Sequence, residues 1–487
     1  MRLAIDQSTS ATKAMLFDDA GKLLASSSRE HRQIYPQPAW VEHDAAEIWA
    51  NVLTTVREVT RGLAEDIASL SITNQRETIV VFDRATGEPL HNAMVWQCRR
   101  GDAICNELRT AGHEPAIRTK TGLRVDTYFS ASKLKWLIRE RPDIAAKLRD
   151  GSALIGTIDA YLVYRLTGGK VFASDHTNAS RTLLYDVSKL RWDDELCSLF
   201  DVPMRALPEV RECVGEFGAT HVGGALPRSV SIRGVMGDSQ AALFAQRCFT
   251  AGTGKATFGT GTSVLINAGH EWKLPGDGVV AALAWVVGGK PTYALEGLIN
   301  YSAATIAWLK DQLQLIDDVS KVESIARSVR DSAGVFLVPA FAGLSAPYWS
   351  NSARAAIVGM SAHTTRAHVV RAALESIALQ IRDVLDLLQP SVGTPVQSLG
   401  VDGGPTRNAL LMQMTADLTR AELQVADVPE ASAWGATLAG IVGERGTFDL
   451  AMLTHDRPAA VTYRPLMSSP EADTLHMAWR AAVQRVL

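Results

Sequence analysis

Two α/β domains meeting at a cleft are the fold class predicted by this sequence of 487 residues. Three observations carry that prediction. Apolar runs of strand length alternate with segments of helical period in both halves of the chain. Glycine-rich turns bound those runs at 252–255, 259–262 and 402–404. At about 150 residues per domain, the length suits two large units or three ordinary ones, and the mixed pattern in each half favours two. Ligands tend to sit where such units meet.

The elements follow in chain order. Residues 3–5 and 13–17 are apolar runs on either side of QSTSAT, which is turn chemistry, so the chain opens as a β-hairpin with a hydroxyl-rich tip. Gly21 starts a third strand over 22–28. From Asp44, a suitable N-cap, Ile48, Val52, Val56 and Val59 recur near the 3.6-residue period and predict a helix. Strands are expected at 67–73 and 79–82, and at 232–236 ahead of a helix over 240–246. The strongest helix spans 368–388, with Val369, Ala373, Ile377, Ile381, Val384 and Leu388 on one face. The domains are expected at 1–246 and 247–487.

Composition excludes several function classes. Against 52 Asp+Glu stand 49 Lys+Arg, a net charge of -3, and no block of five like charges suits a nucleic-acid partner. Hydrophobic residues at 47% and charged ones at 21% make a globular balance. The longest apolar stretch, 279–287, is well short of the roughly 18 residues that span a bilayer and reads as a buried strand. Asp6 stands where a signal peptide needs an unbroken apolar segment, so a cytoplasmic protein is expected. Cys98, Cys105, Cys197, Cys213 and Cys248 are odd in number and form no C-x-x-C pair, which points to reduced packing residues.

Five places could carry chemistry. Asp6 precedes the hydroxyl-rich tip and Lys13 follows it, an arrangement able to hold phosphate oxygens and a metal-bound water, or simply an ordinary polar hairpin. Asp238 ends a strand beside a helix, where it could be a general base or an N-cap. The run Asn74-Gln75-Arg76-Glu77-Thr78 is longer than a tight turn needs and supplies donors and acceptors for vicinal hydroxyls, or is an exposed loop. Trp96 and Tyr128 can wall a pocket or belong to the core. The turns at 259–262 and 402–404 let backbone approach a nucleotide. Lys255 follows Gly254 without the glycine spacing of a P-loop, and Gly237-Asp238-Ser239 is not a G-x-S-x-G elbow, so neither chemistry is expected.

Longer stretches are more specific. SITNQRETIVVFDRATGEPLHNAMVWQCRR (71–100), DHTNASRTLLYD (175–186), YALEGLINYSAATIAWLKD (293–311), FLVPAFAGLSAPYW (336–349) and VDGGPTRNALLMQ (401–413) resemble the glycerol kinase branch of the FGGY carbohydrate-kinase family. So do YFSASKLKWLIRE (128–140) and AAIVGMSAHTTRAHVVRAALE (355–375). The resemblance implies a two-domain actin-like/hexokinase-like ATPase fold of the ribonuclease H-like type, with a cleft between the domains. It implies ATP and Mg2+, with Asp6 and Asp238 near the metal and Asp238 as general base. Arg76, Glu77, Trp96, Tyr128 and Asp238 match polyol-binding positions; Thr9, Ser10 and Lys13 match the phosphate hairpin; Thr260, Gly261, Gly403, Gly404 and Asn408 match nucleotide-contacting positions. Relatives are often homodimers or homotetramers, and no nucleic acid or membrane span is implied.

The departures bear on the acceptor. Ser239 stands where such kinases usually have Gln, and Ser263 where they have a Phe that closes on the carbon chain; losing that contact weakens apolar packing by about 1–3 kcal/mol. The smaller residues favour a four- or five-carbon polyol or ketose such as erythritol, threitol, xylulose or ribulose. Thr127 replaces a proline before the pocket tyrosine, and Ser8 a hairpin glycine. Residues 223–227 lack the character of a loop that binds fructose 1,6-bisphosphate, so that regulation is not expected. A nucleotide-dependent regulatory protein without catalysis is the remaining reading, and the retained pair Asp6 and Asp238 counts against it.

Overall fold

The computed structural model describes residues 1–63, 66–350, 352–426, 430–446, 450 and 460–487. Strands β1 (Arg2–Gln7), β2 (Ala11–Phe17) and β3 (Leu23–Glu30) form the expected antiparallel meander. With β4 (Ser69–Asn74), β5 (Glu216–Thr220) and β6 (Val230–Gly237) they make a six-stranded sheet in the order β5-β6-β4-β1-β2-β3. Strands β1, β4 and β6 run parallel, with Asp6, Thr73 and Met236 in register, so their carboxyl ends share one edge. The alternation is that of a sheet buried on both faces. Leu3, Ile5, Ala14 and Leu16 pack against Ile48, Val52 and Val56 of helix α1 (Ala45–Val59), whose N-cap is Asp44. Ala4, Met15 and Phe17 face the other way, into a different core.

That second core joins the halves. Helix α2 (Asp238–Ala245) follows β6 directly, with Gly237 as its N-cap, so Asp238 is the first helical residue rather than the cap and the helix starts two residues before the expected 240–246. A seven-stranded sheet then builds from β7 (Gly254–Phe258), β8 (Thr262–Gly269), β9 (Val280–Val287), β10 (Lys290–Ile299), β11 (Ser398–Asp402), β12 (Glu422–Ala426) and β13 (Ala460–Tyr463), ordered β9-β10-β8-β7-β11-β12-β13. Helix α3 (Arg366–Val392) covers one face through Val370, Ile377, Ile381 and Val384 against Val264 and Ile266. On the other face Leu265 and Ala294 share a core with Leu243 of α2, with Trp434 and Leu438 of helix α4 (Ala431–Arg445), and with Met15 of the first sheet. Helices α2 and α4 therefore lie between the sheets. Their backbones are so close that a Cβ on Gly435 would stand 1.8 Å from the carbonyl oxygen of Ala241.

The differences from the sequence reading are local. GTGK is a turn only in its first half, because Gly254 and Lys255 already pair with Ile266 and Leu265 as strand. Helix α3 outruns the expected 368–388 at both ends: a reciprocal cap between Thr365 and His368 adds a start, and Pro390 is absorbed in the last turn before Gly393 stops the helix at φ 78°. Among the described residues no helix is long and apolar enough to cross a membrane, and the five cysteines are buried outside any disulfide.

Candidate active site

Two strand ends supply the acids. Asp6 lies near the end of β1 and Asp238 just beyond β6, with β4 between them, so both carboxylates sit at the carboxyl edge of the parallel strands, where open α/β sheets bind ligands. Burial, and then the facing charge of Asp238, push the Asp6 carboxyl up to about 7, only partly offset by Lys13. Two carboxylates that face each other so closely form a donor set that fits a divalent ion completed by water and phosphate oxygens.

Arg76 and Glu77 do not form an exposed loop: they are 5% and 1% exposed. The Arg76 guanidinium lies 3.3 Å (Nε) from the Asp238 carboxylate and donates at 2.8 Å (Nη2) to Glu296 on β10. Gly237 makes room for it, since a Cβ there would meet Cγ of Arg76 at 2.7 Å. Arg181 donates to Glu77 at 2.6 Å and pairs with Glu296 at 2.7 Å. This network of four buried charges ties the two sheets together beneath Asp238. Burial opposes ionisation of Glu296, but Arg181 and Arg76 outweigh it and hold its carboxyl at about 2. The Asp238 carboxylate is more open, with 37% of its side chain exposed.

The aromatic wall also forms. Trp96 and Tyr128 are half-buried and tilted against each other at 5.2 Å. Nε1 of Trp96 donates to the Thr9 hydroxyl at 3.0 Å, which ties the wall to the hairpin tip. Lys133 fixes the Tyr128 segment by donating to the carbonyls of Thr127, Tyr128 and Phe129. At the tip Ser8 closes the turn through its hydroxyl and Ala11, while Ser10 is exposed. Lys13 is held by both oxygens of Glu430, at 2.8 Å each, at the N-terminus of α4. Ser239 is half-buried in the first turn of α2, and its backbone N–H donates to the Asp238 carboxylate. Ser263 lies on β8 across from Thr257, on the face that also carries Leu265 and, opposite Leu265, Glu296.

Thr260, Gly261, Gly403, Gly404 and Asn408 gather at the corresponding edge of the second sheet. Gly261 must be glycine, because a Cβ would stand 2.3 Å from the carbonyl oxygen of Ile299; Gly403 has φ 99°, and a Cβ there would stand 1.9 Å from the carbonyl oxygen of Phe258. The Asn408 side-chain oxygen caps the helix Ala409–Thr419, which leaves its amide donors for a ligand. Beside them opens a cavity of about 630 Å³, lined by Ala303, Ile306, Val322, Leu374, Gly404 and Asn408 among others, a size and apolar character suited to a nucleoside. Arg181, Glu296 and Glu430 escaped the sequence reading. A single acid inside the otherwise apolar run YALEGLI was the available signal for Glu296.

The FGGY family of carbohydrate kinases matches twice, its N-terminal domain over residues 1–245 and its C-terminal domain over 254–444. Glycerol kinase of Halorhodospira halophila (strain DSM 244 / SL1) is 43% identical, covering 99% of this chain and 96% of the relative. Glycerol kinase 1 of Thermotoga maritima is 41% identical, covering 100% and 99%. The crystal structure of Plasmodium falciparum glycerol kinase with ADP superposes with a TM-score of 0.94 at 35% identity, covering 100% and 98%. Xylulose kinase from Lactobacillus acidophilus, at 20% identity and a TM-score of 0.88, covers 100% and 98% and shares the fold. With both domain descriptions matched in order along a chain whose sheets present their strand ends to a common site, the protein belongs to the FGGY family of carbohydrate kinases, ATP-dependent enzymes that phosphorylate sugars and polyols.

Proposed function

We propose that the chain transfers the γ-phosphoryl group of ATP to a terminal hydroxyl of a small polyol, as the glycerol kinases do, with Asp238 as general base. The observation that carries this reading is the open carboxylate of Asp238 held by the buried Arg76 guanidinium at the common edge of the parallel strands. The hydroxyl O–H bond breaks toward Asp238, the oxygen–phosphorus bond forms, and the bridging bond to the β-phosphate breaks with ADP taking the electron pair. Arg76 and Glu77 bind the polyol hydroxyls, and Trp96 and Tyr128 wall its carbon chain. Thr9, Ser10 and Lys13 receive phosphate oxygens, the last by exchanging Glu430 for them. Thr260, Gly261, Gly403, Gly404 and Asn408 hold the nucleotide. Asp6 and Asp238 would hold Mg2+, which supplies charge neutralisation on the phosphates. The residue ranges 1–246 and 247–487 remain our division of the chain, and a cytoplasmic enzyme remains part of the reading, supported by Asp6 interrupting the apolar segment that a signal peptide needs.

A second reading concerns the acceptor. The Ser263 hydroxyl oxygen is buried and has no hydrogen-bond partner among the described residues, which favours an acceptor with an additional hydroxyl, a four- or five-carbon polyol or ketose. ADP release measured with glycerol, erythritol, threitol, xylitol, xylulose and ribulose decides. A kcat/KM for glycerol far above the others eliminates the second reading, and no turnover with any of them eliminates the first as well.

A further inference from the structure

Lys255 is a lysine that the fold buries without bringing any carboxylate of the described residues into ion-pair contact with it. It sits on β7 with 1% of its surface exposed, in register with Leu265 on β8 and Gly400 on β11. Its ammonium donates to the hydroxyl of Thr257 at 2.7 Å, and among the described residues no carboxylate lies within ion-pair distance. The charges that face it are Asp402 at the end of β11, Asp238 at the start of α2, Glu296 on β10 and the Arg76 guanidinium. Two of these already have cations of their own, Glu296 in Arg76 and Arg181 and Asp238 in Arg76, while Asp402 accepts from the neutral Gln246 amide at 3.2 Å and acts on the ammonium only from beyond ion-pair distance. Burial lowers the pKa of Lys255.

An ammonium taken out of water without a partner costs several kcal/mol. Packing gives no reason to bear that cost here, since Leu or Met would fill the same space. The position supplies one. Strand β7 occupies in the second sheet the place that β1 occupies in the first: each is paired antiparallel with the next strand through a tight hairpin and parallel with a later strand, β11 or β4. At the end of β1 stands Asp6. At the end of β7 stands Thr257, across from Ser263 and in register with Asp402, with the Lys255 ammonium at its hydroxyl and the turn at 259–261 immediately beyond. The cation thus lies between the nucleotide turns and the Asp238 end of the site.

We infer that Lys255 is a catalytic residue, whose ammonium receives the phosphoryl group in transit from ATP to the acceptor. It stays protonated throughout and donates hydrogen bonds to the equatorial oxygens, whose negative charge spreads as the bond to ADP breaks; the proton of the acceptor hydroxyl goes to Asp238. The inference rests on the kinase reading of the same site.

The test is Lys255→Met, with folding checked by circular dichroism and melting temperature. Turnover should fall about 10²–10³-fold, as when one preorganised donor to a developing charge is removed. The dissociation constants of ADP and of the acceptor should change less than about threefold, while affinity for aluminium fluoride with ADP and acceptor, a mimic of the phosphoryl in flight, should fall in step with kcat/KM. A variant with wild-type turnover overturns the inference, and so does one with slow turnover but undiminished affinity for the fluoride complex. If Lys255→Met folds poorly, Lys255→Ala is assayed with propylammonium and with 1-butanol. Rescue by the cation alone supports the role, and rescue by both or by neither overturns it. Wild-type enzyme is assayed in parallel: its failure to phosphorylate any acceptor would sink the kinase reading, whereas wild-type turnover in the variant would sink only the lysine.

Discussion

Replacing Glu296 by Gln is expected to remove about 3 kcal/mol of stability at neutral pH while leaving the side chain's shape intact. Glu296 is 1% exposed, accepts from Arg76 at 2.8 Å and pairs with Arg181 at 2.7 Å, so its charge is answered from two directions across the two sheets. Folding moves its carboxyl from the ordinary 4.5 to about 2, and that interval corresponds to about 3 kcal/mol. Breaking a buried pair by removing one partner gives a similar figure, about 3–5 kcal/mol, because two guanidinium groups are left short of charge. A carboxyl depressed by folding contributes stability that is complete above the unfolded-state value and fades as pH falls from about 4.5 toward 2. The measurement is urea unfolding of wild type and E296Q at pH 7, 5 and 4, followed by tryptophan fluorescence, with the m-values compared so that a shifted midpoint reads as a stability change. The wild-type advantage should be largest at pH 7 and begin to shrink at pH 4. Equal midpoints at pH 7, or a difference that persists unchanged at lower pH, would refute the coupling of the sheets through this carboxylate.

Three further outcomes follow from the geometry. Asp238→Asn should keep the fold and ADP affinity and lose about 10²–10⁴-fold in turnover, read by ADP release against a calorimetric binding curve; near wild-type turnover would remove Asp238 as base. Asp175, buried at the N-terminus of the short helix His176–Ala179, is pushed up to about 7 by burial and then by Asp159, so the folded state holds a proton there that the unfolded chain has lost above 3.8. Its contribution is therefore present below about pH 4 and is lost as pH rises toward 7. The melting-temperature difference between wild type and Asp175→Asn should move in favour of the variant from pH 5 to pH 8, and a difference independent of pH would contradict the assignment. Gly435→Ala places a Cβ 1.8 Å from the Ala241 carbonyl oxygen, an overlap relieved only if α4 moves off α2, and should destabilise the protein by about 1–3 kcal/mol, visible as a lowered melting temperature.

What could be read from the sequence, and what could not, divides by range. The β1–β2 hairpin, α1 and α3 are written within a few residues: a turn between apolar runs, the Asp44 cap, and a stripe from Val369 to Leu388 that is buried throughout. Each depends on neighbours that the chain itself supplies. Even so, α3 runs past the expected end at 388 and carries Pro390 inside its last turn, because Gly393, three residues on, provides the left-handed end that terminates the helix.

The charge network had no such local writing. Glu77 meets Arg181 across 104 residues, and Arg76 meets Glu296 across 220. Composition could not show which of 49 cations answers which of 52 anions. A run of five polar residues, 74–78, looks the same whether it faces water or a buried guanidinium, so Arg76 read equally as loop or as site until β10 was placed beside β8 and Glu296 came to face it. Lys255 makes the point most sharply. By motif it was a lysine that failed to complete a P-loop, and only the register of β7 with β8 and β11 shows it sealed at the site among Asp238, Glu296 and Asp402. Pairing a charge is the product of topology, and topology is settled by long-range strand order rather than by local period. Charge pairing is therefore where the structure adds most to the sequence: an Arg76 or Arg181 in contact with its carboxylate explains how the sheets hold together, and a buried lysine with no carboxylate in ion-pair contact among the described residues, faced by Asp402, Asp238 and Glu296 only from farther off, is what the proposal for Lys255 rests on.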